Sequence, residues 1–92
     1  MSDCEWDARK AARNLKKHGV SFAEAMSVFA DPQGTIFNDP DHSADERREI
    51  IVGHSTRPRL LVVGFAERSL RVRIITARRA SLAETTRHEE NS

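Results

Sequence analysis

The order of patterns along this chain predicts an α+β fold, with helices set against one face of an antiparallel sheet. Three observations carry that expectation. The segment from Arg59 to Arg78 reads as two β-rich runs, one around Leu60-Leu61-Val62-Val63 and one around Val72-Arg73-Ile74-Ile75, joined by a polar break at Ser69-Leu70. That is the pattern of a hairpin. Two stretches with helical periodicity precede it, and a third with a helix-start signature follows it. The 92 residues make a single domain spanning positions 1–92, because either half alone would bury too little interior to hold itself together.

Taken in order, Met1 to Trp6 is an extended lead-in anchored by Trp6. Asp7 can cap a helix whose Ala8, Ala11, Ala12 and Leu15 recur on one face, with Lys10, Arg13, Asn14 and Lys17 opposite and Gly19 as the stop. Ser21-Phe22-Ala23-Glu24 has capping-box spacing and opens a second helix with the stripe Phe22, Ala25, Met26 and Phe29, which Asp31-Pro32 ends. Thr35-Ile36-Phe37 is a short edge strand, Asn38 to Asp45 a polar loop, and Glu46 to His54 a strand centred on Ile50-Ile51-Val52. Ser81-Leu82-Ala83-Glu84 repeats the capping spacing and starts a last helix. The sum is two N-terminal helices, a three- to four-stranded curved antiparallel sheet, and a short C-terminal helix. One sheet face is left partly free.

A formal net charge of +1 conceals an uneven distribution. Between Arg57 and Arg79 seven arginines face one glutamate, a local charge of +6, whereas residues 31–49 carry a local −4. A basic hairpin of this kind suits phosphates or a strongly acidic protein. The single Cys4 excludes an internal disulfide and a cysteine-based zinc centre. Asp39, Asp41, His42 and Asp45 fit neither a calcium loop nor a zinc signature, so no metal and no cofactor is expected. No apolar run approaches the ~20 residues needed to span a bilayer, and the N-terminus is acidic where a signal peptide is basic. These features place the protein in the cytoplasm, away from membranes.

Strict alternation on the last strand puts Val72, Ile74 and Thr76 on one side and Arg71, Arg73 and Ile75 on the other. Such arginines are either solvated edge residues paired with carboxylates or a grip on a phosphodiester, for which the planar guanidinium is well shaped. Arg68 and Arg78 can complete a cradle around one phosphate. Cleavage of RNA needs no metal: a base removes the 2′-hydroxyl proton, cations stabilise charge on the phosphoryl oxygens, and an acid protonates the leaving 5′-oxygen. Candidate proton-transfer groups are Glu46, His18, His42, His54 and His88. The bland readings are a helix-terminal packing residue for His18, a solvated loop residue for His42, a strand-end residue for His54 and a tail residue for His88. A non-catalytic basic subunit that binds nucleic acid or an acidic protein is the competing functional class.

Several fragments in their order, among them Glu5-Trp6-Asp7, Lys17-His18-Gly19-Val20-Ser21-Phe22, Val28-Phe29-Ala30-Asp31-Pro32, Gly53-His54-Ser55, Glu67-Arg68 and Arg73-Ile74-Ile75-Thr76-Ala77-Arg78, closely resemble the BrnT toxin family. The resemblance implies the RelE-like fold and a type II toxin that cleaves RNA as an endoribonuclease, inhibiting translation. It implies as partner a BrnA-like ribbon-helix-helix antitoxin, in a heterotetramer built on an antitoxin dimer, with operator DNA bound only through the antitoxin. Carried onto this chain, it marks Arg68 and Arg78 for phosphate binding and charge stabilisation, Arg73 as auxiliary clamp, Lys17 as a backbone contact or cation, and Glu46 as a candidate base. His88 stands where the family usually has tyrosine, a departure that either preserves proton transfer with a different group or leaves activity weak. Phe65-Ala66 likewise replaces the family's more common aromatic-threonine pair.

Overall fold

The computed structural model describes residues 3–39, 48–68 and 70–90. Glu46 and most of the expected acidic loop, with Asp41, His42 and Asp45, lie outside them. The elements in chain order are β1 (Asp3–Glu5), α1 (Ala8–His18), α2 (Phe22–Ser27) continued by a 3₁₀ turn (Val28–Ala30), β2 (Thr35–Asn38), β3 (Arg48–His54), β4 (Leu60–Arg68), β5 (Arg71–Arg79) and α3 (Leu82–Glu90). The α+β class holds, but the sheet is five-stranded and mixed, in the order β1-β5-β4-β3-β2. The difference is β1: the lead-in pairs in parallel with β5 through Asp3↔Arg71, Cys4↔Val72 and Glu5↔Arg73. The other pairs are antiparallel.

The helix starts are made by the residues that signal them. The Asp7 carboxylate accepts from the backbone N–H groups of Arg9 and Lys10. Gly19, at φ 70°, closes α1 in the left-handed region with its N–H on Leu15 O, a conformation that side chains with a Cβ resist. Ser21 caps α2 through Glu24 N. At α3 the box is reciprocal, with Glu84 N donating to Ser81 Oγ and Ser81 N donating to Glu84 Oε1.

The stripe expected to bury α1 is not the one that does. Leu15 is 51% exposed and Asn14 is buried. Asn14 Nδ2 donates to the carbonyls of Ala77 and Val20, and its Oδ1 accepts from Ala77 N. One amide therefore takes the place of a neighbouring strand along the stretch of β5 that β1 is too short to cover. The core lies between the sheet and the α1–α2 corner and contains Val20, Phe22, Ala25, Val28, Ile51, Leu61, Val63, Phe65, Val72, Ile74 and Ala77. Edge-on ring contacts, Trp6 on Phe22 and Phe29 on Phe65, fill its margins.

The second sheet face is free only in part, because α3 packs over a portion of it. Arg78, paired with Val62, points to the side opposite the core, and α3 lies there, with Glu84, Arg87 and His88 over Val62 and Val52. The sheet is thus covered by α1 and α2 on one face and partly by α3 on the other.

Candidate functional site

A bulge decides which arginines share a face. Gly64 pairs with Thr76 but Phe65 pairs with Ile74, so Ile75 is an extra residue on β5. Unbroken alternation would set Arg78 on the core side, away from Arg73. The extra residue shifts the phase, returning Ala77 to the core with Val72 and Ile74 and bringing Arg78 to the face of Arg73. Register carries Arg48 there too, since it pairs with Ala66, which pairs with Arg73. The backbone of Arg68 ends β4 opposite Arg71.

On this face is a groove of about 240 Å³ lined by Thr35, Phe37, Ile50, Val52 and Val62 with Arg78, Glu84, Arg87 and His88. Its floor is aliphatic and one wall is charged. Arg78 is fixed by two parallel hydrogen bonds to Glu84, Nη1 to Oε1 at 2.8 Å and Nη2 to Oε2 at 2.9 Å. That fork holds the Glu84 carboxyl at about 2, with the Ser81 N–H assisting, and raises the Arg78 guanidinium. Arg78 keeps further N–H donors for an incoming anion. Arg73 is tethered less tightly, Nη1 to Glu5 Oε2 at 3.3 Å across the parallel β1–β5 pair.

Of the residues singled out in the sequence, Arg78 and His88 meet in the groove, and Arg73 shares its face. Lys17 is elsewhere. It lines a shallow depression between α1 and the outer margin of β5, with Lys10, Arg13, Asn14, His18, Ile75 and Thr76. That depression is a second basic surface, not part of the arginine groove.

Two clusters escaped the sequence reading. Glu24, read as a capping-box residue, instead turns inward: its carboxylate accepts from Arg59 Nε at 2.8 Å, Arg59 Nη2 at 2.6 Å and Ser55 Oγ at 2.7 Å. The second cluster joins Asp31, His54 and His88, which each offer a ligand atom within 4.8 Å of the others. The only advance signal was residue type, because these three positions belong to three elements far apart in sequence.

An α+β domain with arginines along a groove on the outer face of its sheet carries the kind of basic surface that suits phosphate-bearing ligands. Residues 6–84 match the model of the family described as ribonuclease toxin, BrnT, of type II toxin-antitoxin system. The chain belongs to that family. Its fold is similar to the 1.1 Å crystal structure of the Brucella abortus ribonuclease toxin BrnT, with a TM-score of 0.69 and 24% sequence identity, covering 88% of this chain and 99% of that one. No curated protein matches the chain in sequence. No helix among the described residues is long and apolar enough to cross a membrane.

Proposed function

We propose that this toxin is a metal-independent endoribonuclease that acts in the cytoplasm, cutting RNA by attack of a 2′-hydroxyl on the adjacent phosphate and so inhibiting translation. The observation that carries the reading is the meeting of Arg78 and His88 in one groove whose face Arg73 shares. The scissile phosphate sits against Arg78, with Arg73 and Arg68 as further cations and Lys17 as a contact to the RNA backbone beyond the groove. Charge growing on the phosphoryl oxygens is met by donors already aimed by Glu84, so little reorganisation is needed at the moment of reaction. His88 gives a proton to the leaving 5′-oxygen, and Glu46 is the base that takes the 2′-hydroxyl proton. The aliphatic floor and Phe37, half exposed at the groove wall, accept the face of a base.

A BrnA-like ribbon-helix-helix antitoxin, dimeric and flanked by two toxins, silences the chain by covering this face, and operator DNA is held by the antitoxin alone. The ion pairing of both Arg73 and Arg78 favours one rival reading, a non-catalytic basic subunit whose arginines serve structure and salt-dependent binding. The deciding assay incubates partner-free protein with RNA in EDTA and identifies the product ends. Cleavage leaving 2′,3′-cyclic phosphates is expected. Salt-dependent RNA binding without any cleavage by folded protein establishes the rival.

A further inference from the structure

We propose that Asp31, His54 and His88 form a binding site for a divalent transition-metal ion of the zinc class, with three protein ligands and a fourth position open to solvent. The donor set, two imidazoles and one carboxylate, is one that zinc accepts with water completing a tetrahedron. Its atoms lie within 4.8 Å of one another, and His54 Nδ1 is 3.6 Å from Asp31 Oδ2. Ligand atoms around tetrahedral zinc are separated by about 3.3 Å, so the cluster contracts by roughly an ångström or more on binding.

Three features argue for an ion rather than a chance gathering. His88 is only 8% exposed, and among the described residues its Nε2 is buried without a hydrogen-bond partner, a costly state for an imidazole nitrogen. Asp31 is already oriented: Oδ1 accepts from Gln33 N at 2.9 Å and Oδ2 from His54 N at 2.7 Å, leaving carboxylate lone pairs for a cation. Finally, the His54 side chain is half exposed, giving the ion an entry path, while its ring meets that of His88 edge-on at 5.8 Å.

The placement has two consequences. An ion there ties the 3₁₀ end of α2, the end of β3, and α3 to one point, so it stabilises the folded chain alone. The second consequence rests on the function proposed above. With its imidazole bound, His88 cannot deliver a proton, so zinc inhibits the cleavage that EDTA leaves intact.

The test strips the full-length protein with EDTA, removes the chelator, and titrates zinc chloride by calorimetry and thermal melting, with the visible spectrum of added cobalt(II) reporting geometry. One ion per chain is expected, with Tm rising by about 10 °C or more at a hundredfold excess over Kd. Affinity should fall by at least ~100-fold in His54→Ala and in His88→Gln, while His18→Ala and Cys4→Ser bind as the parent does. His54 is exposed, so His54→Ala decides the matter even if His88→Gln folds poorly. No binding at 100-fold excess of zinc over protein, or binding that both ligand variants retain, overturns the site. RNA cleavage is read in the same samples: a silent enzyme that binds zinc as described refutes the nuclease reading and leaves the metal site standing, and active enzyme that ignores zinc does the reverse.

Discussion

Arg78 and Glu84 show how much one pair of side chains is asked to do. Replacing Arg78 by Ala removes the guanidinium at the groove wall and is expected to lower RNA cleavage by ~100-fold or more, the scale typical of losing an oriented donor to a developing oxyanion. Arg78→Lys should recover little, because an ammonium cannot reproduce a fork held by both Glu84 oxygens. Single-turnover cleavage rates check both: full activity in Arg78→Ala removes Arg78 from the mechanism, and full activity in Arg78→Lys alone removes the need for the fork. Glu24 carries a pH prediction. Arg59 above all, with Ser55, lowers its carboxyl from 4.5 to about 2, so its stabilisation is complete above ~pH 5 and is lost as the pH falls from 4.5 towards 2. For a buried carboxylate this displacement is worth on the order of 3 kcal/mol. Urea midpoints measured against pH should fall through that window for the parent and stay flatter for Glu24→Gln, which starts lower at pH 7. Parallel curves for the two proteins would assign the acid sensitivity to other groups.

Among the elements, α1 and β5 depend on each other through Asn14. Asn14→Ala leaves the buried N–H and C=O of Ala77 and the carbonyl of Val20 without this amide, and the loss is expected to be about 3 kcal/mol in urea unfolding. A loss below about 1 kcal/mol would mean that water replaces the amide. Gly53 makes a similar demand on β3. A Cβ there would lie 2.9 Å from Val28 and 3.1 Å from the Asp31 carboxylate, so Gly53→Ala should destabilise and displace Asp31. What the sequence reveals about these elements follows from range. The hairpin, the caps at Asp7, Ser21 and Ser81, and the Gly19 stop are written in neighbouring residues and are legible. The strand β1 is not, because three residues pair with a strand nearly seventy positions later. Nor is the buried face of α1, since a polar Asn14 occupies it, or the bulge at Ile75, which no local pattern announces. That bulge is also why the arginine set could be named but not assembled: alternation alone sends Arg78 to the wrong side.

At the scale of the whole molecule, the arginine face and the α1 depression with Lys10, Arg13, Lys17 and His18 are two basic surfaces separated by the margin of β5. An RNA strand that touches both must cross that margin. Substituting Lys10, Arg13 and Lys17 together by Ala should therefore weaken RNA binding and reduce its salt slope by up to about 2, at ~0.7 per phosphate contact on a single strand, while leaving the rate of bond cleavage at saturation nearly unchanged. An unchanged salt slope would confine the RNA to the groove. Two histidines and a carboxylate, from the end of the 3₁₀ turn, β3 and α3, converge only at this scale, which is why the Asp31, His54 and His88 cluster was invisible in the linear chain.

The carboxylate of Glu84 has two employers, the first turn of α3 and the guanidinium of Arg78. Whatever draws Arg78 towards a bound phosphate loosens a fastener of the helix start, and by reciprocity whatever frays that start alters the grip on the phosphate. Substrate engagement and the order of the C-terminal helix are thus thermodynamically linked, and amide hydrogen exchange in the opening turn of α3 should respond when RNA enters the groove.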